Sequence, residues 1–330
     1  MFSSTANRAK RFAAGVTPGR TIAALLIAIL FGCEEAPAAP SVANTTAHPI
    51  FWQVDAPGVA GQTNAARLYL LGSIHVGPKG GWQLPASIIE RFEASEALIV
   101  EVDMSDRSAA ESHENLVLAH GLLPAGESIK NHVSEATYAA LTSYADKRGR
   151  SLANLNSSQA WMIATLLLTV ELERLGYPSE GGVDLDMIAR AREDQSVVGL
   201  ETMEEQLSML SSMSKETQEL MLKDMLLQVD EIEAYFEELK EAWRTGDEAR
   251  LEAVLFDELE QTPELAPFYE HAIYGRNETM CKSFREHLAK GGTRFGVVGT
   301  YHITGERGIP ACLKRHGYKV KRLLDTPASR

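Results

Sequence analysis

Leu68 to His75 reads LYLLGSIH, and Phe295 to His302 reads FGVVGTYH. In each, an apolar run reaches a glycine, two residues follow, and a histidine closes the segment. A continuous apolar run bounded by Gly reads as a strand buried on both faces. Gly72 and Gly299 then allow a sharp turn or close backbone approach, because no Cβ stands in the way. Both imidazoles fall just beyond strand ends, where α/β sheets place their ligands. Histidine also coordinates metals and exchanges protons near neutral pH.

Working outward, strands are expected at Ile50 to Val54, Arg67 to Leu71, Ala97 to Val102, Ser196 to Leu200, Arg294 to Val298 and Lys319 to Leu323. Gly58 to Asn64 has the composition of a turn between the first two. Helices are expected between them. Pro85 and Ser87 with Glu90 open one that runs to about Ser95, with Ser87 at the cap. Others cover Glu111 to Leu118, Ser134 to Arg148, Ser158 to Leu175 and Asp184 to Arg192, the last after the Gly181-Gly182 break. The apolar stretch WMIATLLLTV within Ser158 to Leu175 is too short for a membrane span and reads as a core helix. Strand and helix alternate, so the fold class is α/β: a mixed, largely parallel sheet with helices on both faces.

From Thr202, which forms a capping box with Glu205, long amphipathic helices replace this alternation. They read as a helical insertion, about 202–290, lying against the sheet or covering it as a lid. Met203, Met209, Met213, Met221 and Met225 fit its core. Gly275 to Ala289 is one more helix, and another contains Cys312.

The N-terminus reads as an export signal. Arg8, Lys10, Arg11 and Arg20 precede an apolar core from Ile22 to Leu30, which has the length of a signal h-region. Leu30-Phe31-Gly32-Cys33 resembles a bacterial lipobox, which makes residues 1–33 a lipoprotein-type signal peptide and Cys33 the lipidation site. Cleavage by ordinary signal peptidase within Ala36 to Ala39 is the alternative. Residues 34–48 read as a flexible tether, and 49–326 as the folded domain. The expected location is the cell envelope, facing the periplasm and anchored through Cys33. Glu34, in place of the Asp that retains lipoproteins at the inner membrane, leans toward the outer one. With Cys33 lipidated, Cys281 and Cys312 remain, either as a disulfide or as buried free thiols. The net charge of −13 argues against a nucleic-acid partner.

Four expected strands end in a side chain able to hold a metal or move a proton: His75, Glu101, Glu201 and His302. Strand ends on one side of a parallel sheet converge, so these residues can share a pocket. His with carboxylate suits zinc, manganese, iron or cobalt rather than calcium. Glu101 follows an apolar run, where a carboxylate needs a cation or metal partner. Glu201 is a candidate general base or further ligand, or else only caps or charge-stabilises the helix that begins at Thr202. Arg276 either anchors a substrate carboxylate or oxyanion, or pairs with a neighbouring Glu.

LYLLGSIHVG, VEVD at 100–103, GVDLDMIARA, VVGLETMEEQL, GRNETM and VVGTYHITGERGIPACLKRHGYKV together resemble the TraB/GumN family, in order and over nearly all of residues 50 to 324. The resemblance implies a fold related to the erythromycin-esterase and ChaN-like proteins, with two G-x-x-H motifs and an acidic residue at the centre. The animal TIKI relatives are metal-dependent proteases, which implies peptide hydrolysis dependent on manganese or cobalt, with metal ligands His75, Glu101 and His302; the expected cofactor is a divalent metal, manganese, cobalt or zinc. Arg276 and Asn277 match the family's Arg-Asn pair; Gly275 stands where a Glu is common, so a Glu-Arg interaction at that position is absent. The expectation is a metallohydrolase of the envelope acting on a peptide or small molecule. Rival expectations are a haem- or metal-binding envelope protein, a metal-free esterase with His75 as base, and an interaction factor.

Overall fold

The computed structural model describes residues 46–57, 66–106, 110–261 and 263–324. The expected signal peptide, Cys33, most of the tether and all of the Gly58 to Asn64 turn lie outside the described residues.

Six strands form one sheet: β1 (Phe51–Asp55), β2 (Arg67–Ser73), β3 (Ala97–Val100), β4 (Ser196–Gly199), β5 (Thr293–Gly299) and β6 (Lys319–Arg322). Their order is β4-β3-β5-β2-β1-β6. The β2–β5, β5–β3 and β3–β4 pairs are parallel, and β1 runs antiparallel to β2 and β6. One strand thus opposes five, which makes the sheet mixed and mostly parallel. The central strands read as apolar runs because helices cover both faces: Leu68, Leu70 and Leu71 of β2, Ala97 to Val100 of β3 and Val297 and Val298 of β5 are all buried.

Seven helices cover the first half and the start of the insertion: α1 (Ala86–Glu93), α2 (Ala110–Gly121), α3 (Glu135–Lys147), α4 (Ala160–Arg174), α5 (Val183–Arg190), α6 (Met203–Ser211) and α7 (Lys215–Gln228). Two corrections to local reading arise. Helix α1 starts at Ala86 with Pro85 in the cap position and no side-chain cap; the Ser87 carbonyl instead accepts from Arg91 Nη1. Strand β3 ends at Val100, two residues earlier than its apolar composition suggests, because the Glu101 carbonyl turns to accept the N–H groups of Leu200 and Glu201. The Thr202–Glu205 capping box is formed as expected. Helix α4 buries Trp161, Ile163, Leu167 and Leu168, and no helix among the described residues is long and apolar enough to cross a membrane.

The insertion continues with α8 (Ile232–Thr245) and α9 (Glu248–Gln261). Met203, Met221 and Met225 are buried in it. Trp243 of α8 donates its indole N–H to the Gly72 carbonyl at 2.9 Å and packs on Trp82, so this part of the insertion lies on the sheet. A π-helical turn, Glu270–Tyr274, leads into α10 (Gly275–Ala289), and α11 (Thr300–Ile303) and α12 (Ile309–Arg315) close the order before β6. Cys281 of α10 and Cys312 of α12 form a disulfide, which resolves the two alternatives left by the sequence.

Candidate functional site

The four parallel strands β2, β3, β4 and β5 end on one side of the sheet, and their order fixes who meets whom. Strand β5 sits between β2 and β3, with Ser73 opposite Gly299 and Val100 opposite Val297. His75 and His302 therefore reach Glu101 from neighbouring strand ends, and Glu201 lies one strand further out. Thr300 ties the two G-x-x-H segments together by donating to the Ser73 carbonyl at 2.8 Å.

Both motif glycines are needed for close approach. A Cβ on Gly72 would stand 2.6 Å from Ile303 Cδ1, and one on Gly299 would stand 3.1 Å from His75 Nε2 and 3.2 Å from Glu101 Oε1. Any side chain at Gly299 would press into the space between imidazole and carboxylate.

Glu101 is buried and occupies the middle of the cluster. Its Oε1 accepts the Gly299 N–H at 2.6 Å and its Oε2 accepts Arg276 Nη2 at 2.6 Å. His75 Nε2 lies 3.8 Å from Oε1 and His302 Nε2 lies 3.6 Å from Oε2. Arg276 spans two carboxylates, Glu101 and Glu201, and also donates to the Ala272 carbonyl in the π turn. Glu201 takes a further hydrogen bond from Gln206 at 2.6 Å. Of the two roles open to Arg276, the structure displays carboxylate pairing. The partners come from just beyond the ends of β3 and β4. Glu201 serves the Arg276 network and not the cap of α6, which is Thr202.

Sequence reasoning missed two partners. Asp184 Oδ1, on the first turn of α5, is 2.9 Å from His75 Nδ1. Asn277, noted only as a neighbour of Arg276, places Oδ1 2.6 Å from His302 Nδ1 while its amide donates to the Arg307 carbonyl. The signal for Asp184 was the glycine pair before it. A Cβ on Gly181 would come within 2.3 Å of the Gly77 carbonyl oxygen, and one on Gly182 within 2.7 Å of the His75 oxygen. Only glycines let this loop lie on the His75 segment, where Val183 donates to the Ile74 carbonyl.

The electrostatics separate the two histidines. Burial opposes protonation of His75, but Asp184 and then Glu101 outweigh it and raise its pKa to about 9. His302 is fully buried; desolvation, with Arg276 and His75 adding to it against the pull of Glu101, lowers its pKa to about 3. Burial also opposes ionisation of Glu101, yet His302, Arg276, His75 and the Gly299 N–H hold its carboxyl well below the usual range.

The donor set suits a divalent transition metal in kind. Asn277 Oδ1 is in hydrogen-bond contact with His302 Nδ1 and Asp184 Oδ1 in ion-pair contact with His75 Nδ1, while each Nε2 is buried with no hydrogen-bond partner, as expected where the second nitrogen orients an imidazole for metal. His75, Glu101 and His302 do not bring three donor atoms within 4.8 Å of one another. Among the described residues Cys281, Cys312 and His316 do so, but the disulfide removes the thiolates that a metal would need.

The profile of the TraB/PrgY/gumN family matches residues 51–322. YbaP of Escherichia coli (strain K12), described as an uncharacterized protein, is 24% identical over 247 residues, 74% of this chain and 87% of its own length. YbaP of Shigella flexneri gives the same figures. No solved structure matches the chain. The matched span holds both G-x-x-H histidines, Glu101, Asp184, Glu201 and the Arg276–Asn277 pair, and the chain belongs to the TraB/PrgY/gumN family.

Proposed function

We propose that the protein is a metal-dependent hydrolase of the cell envelope, with peptide bonds as its target class. The observation that carries this reading is the pair of buried, unpartnered Nε2 atoms facing one carboxylate. His75, His302 and Glu101 would hold the ion, for which manganese, cobalt and zinc all match the donors. Such an ion supplies Lewis acidity toward a carbonyl and toward water. Asp184 and Asn277 orient the two imidazoles. Arg276 bridges Glu101 and Glu201, and with Arg276 and Gln206 on it Glu201 acts as a support rather than a free base. The envelope location and the anchor at Cys33 are part of this reading and rest on residues 1–33. Haem ligation by the same imidazoles is the weaker idea, because Glu101 lies within 4 Å of each Nε2, where the macrocycle would have to pass.

A metal-free hydrolase is the second reading, favoured by the opposite proton states of the two histidines. In it His302, held neutral, is the base and His75, held protonated, is the acid, which reverses the role first given to His75.

The test is metal content by mass spectrometry on protein starting at Glu34, beside His75→Ala and His302→Ala, with cleavage of a peptide library before and after chelation. About one divalent ion per chain, lost in both variants together with cleavage, is the expected result. Cleavage that survives chelation, with no ion taken up from manganese, cobalt or zinc, would establish the metal-free reading instead.

A further inference from the structure

Beside the His75–Glu101–His302 centre runs a groove of about 800 Å³. Two chain segments lead into it from the centre itself. Helix α5 carries Asp184 against His75, and Leu185, Ile188 and Ala189 that follow line the groove. Beyond Glu101, Met104 and Ser105 line it too. Val197 of β4 forms part of the remaining wall.

Strand β4 ends the sheet, and its one partner among the described residues is β3. In a parallel ladder a residue turns its N–H and C=O to one side, and the next residue turns them to the other. Leu200 donates its N–H to the Val100 carbonyl, on the β3 side. Val197 and Gly199, of the opposite parity, therefore turn their backbone groups outward, and among the described residues none takes them up; these are the donors and acceptors that an added strand uses.

Charge narrows the occupant. Asp186 is neutralised by Arg190 at 2.8 Å, and Arg192 by Asp194 at 2.9 Å. Glu180 also lines the groove and joins no ion pair among the described residues, which leaves a net negative wall.

We infer that an extended peptide segment, neutral or basic in its side chains, seats in this groove as an added strand on β4. Its backbone pairs with Val197 and Gly199, and its direction carries the next residues to the His75–Glu101–His302 centre. The inference rests on peptide bonds being the target of that centre. It adds the binding surface and the preference against acidic side chains.

Val197→Pro tests it with little disturbance, since proline removes an N–H that the β3 ladder does not use. Ala189→Trp, at an exposed position on the groove wall, fills the space and leaves the edge intact. Binding would be followed by fluorescence anisotropy on the whole protein, using a pool of fluorescein-labelled peptides rich in Ala, Val, Leu and Thr with one Lys. Parallel pools would replace Lys by Glu or carry N-methylated backbone amides. The expected result is binding of the Lys pool, weakened about tenfold by either variant and by N-methylation, as the loss of one or two hydrogen bonds would give. Weaker binding of the Glu pool is also expected. Should Val197→Pro unfold, Ala189→Trp and the N-methylated pool decide the matter. No binding of the Lys pool, or binding indifferent to Ala189→Trp and N-methylation, overturns the inference. Metal content of the same samples separates the two claims. Metal-free protein that binds as described sinks the metal reading alone, whereas metal-loaded protein indifferent to the groove changes sinks this inference alone.

Discussion

The two G-x-x-H segments are alike in sequence, in strand, and in the distance at which their Nε2 atoms meet Glu101, 3.8 Å for His75 and 3.6 Å for His302. They differ in what stands behind the ring. Asp184, a carboxylate, backs His75, and Asn277, a neutral amide, backs His302. One ring is held protonated up to about 9 and the other is neutral down to about 3. The motif decides where each imidazole sits; a carboxylate distant in sequence raises the pKa of His75, whereas burial with no such carboxylate behind the ring lowers that of His302.

The largest expected effect breaks both halves at once. Arg276 is the cation between Glu101 and Glu201, and it is buried with them. Arg276→Met leaves two neighbouring carboxylates without their shared cation, which should cost about 3–5 kcal/mol in denaturant unfolding. Arg276→Lys should recover only part of this, because a single ammonium cannot fork between two carboxylates. A loss below about 1 kcal/mol for Arg276→Met would mean that the carboxylates protonate and that the network is not ionic.

The disulfide reaches one half only. It joins α10, which carries Asn277, to α12, which follows the His302 segment. Replacing both Cys281 and Cys312 by Ser should lower stability by about 3 kcal/mol. The His302–Asn277 contact should loosen while the His75–Asp184 contact stays. In the metal-free protein, NMR titration should then report an unchanged His75 and a His302 pKa moved back toward its ordinary value. Equal changes at both rings would show that the halves are not independent.

How much of this was legible depended on whether the signal was local. The apolar runs ending at Gly72, Gly299 and Glu101 encode buried parallel strands directly, because burial on both faces leaves no polar residue inside the run, whereas the run before Glu201 is the half-exposed edge strand β4. Sheet order followed from none of them. That β5 enters between β2 and β3 is a matter of long-range pairing, and it is this insertion that sets both imidazoles on Glu101. Asp184 escaped notice because an Asp in the first turn of a helix has an ordinary explanation in the helix dipole. Its place against His75 depends on Gly181 and Gly182 packing on another segment. Asn277 was visible as half of a pair, but its contact with His302 crosses from α10 to α11. Pairing is one of the alternatives the sequence leaves to Arg276, yet its two partners lie just beyond the ends of β3 and β4, a relation no sequence spacing records.

The smallest effect is the most direct test of the comparison, and it exchanges the backing groups. In metal-free protein His75 has a folded pKa of about 9, above its ordinary 6.5. It therefore contributes stability that is fully present below pH 6.5 and is lost as pH rises through 9. His302 runs the other way: its folded pKa of about 3 is below 6.5. Its neutral form contributes stability present above pH 6.5 and lost as pH falls toward 3. The unfolding free energy should accordingly peak near neutral pH, with an alkaline limb owed to His75 and an acid limb owed to His302. Asp184→Asn removes the strongest charge offsetting the cost of burying protonated His75, so the alkaline limb should flatten while the acid limb stays. Asn277→Asp supplies His302 with the charge it lacks and should flatten the acid limb instead. In metal-loaded protein Asp184→Asn should weaken retention of the ion by about ten- to a hundredfold, ~2 kcal/mol, the usual cost of losing an orienting partner. An alkaline limb unmoved by Asp184→Asn would assign the proton on His75 to Glu101, and the difference between the two motifs would then lie in burial rather than in the group behind the ring.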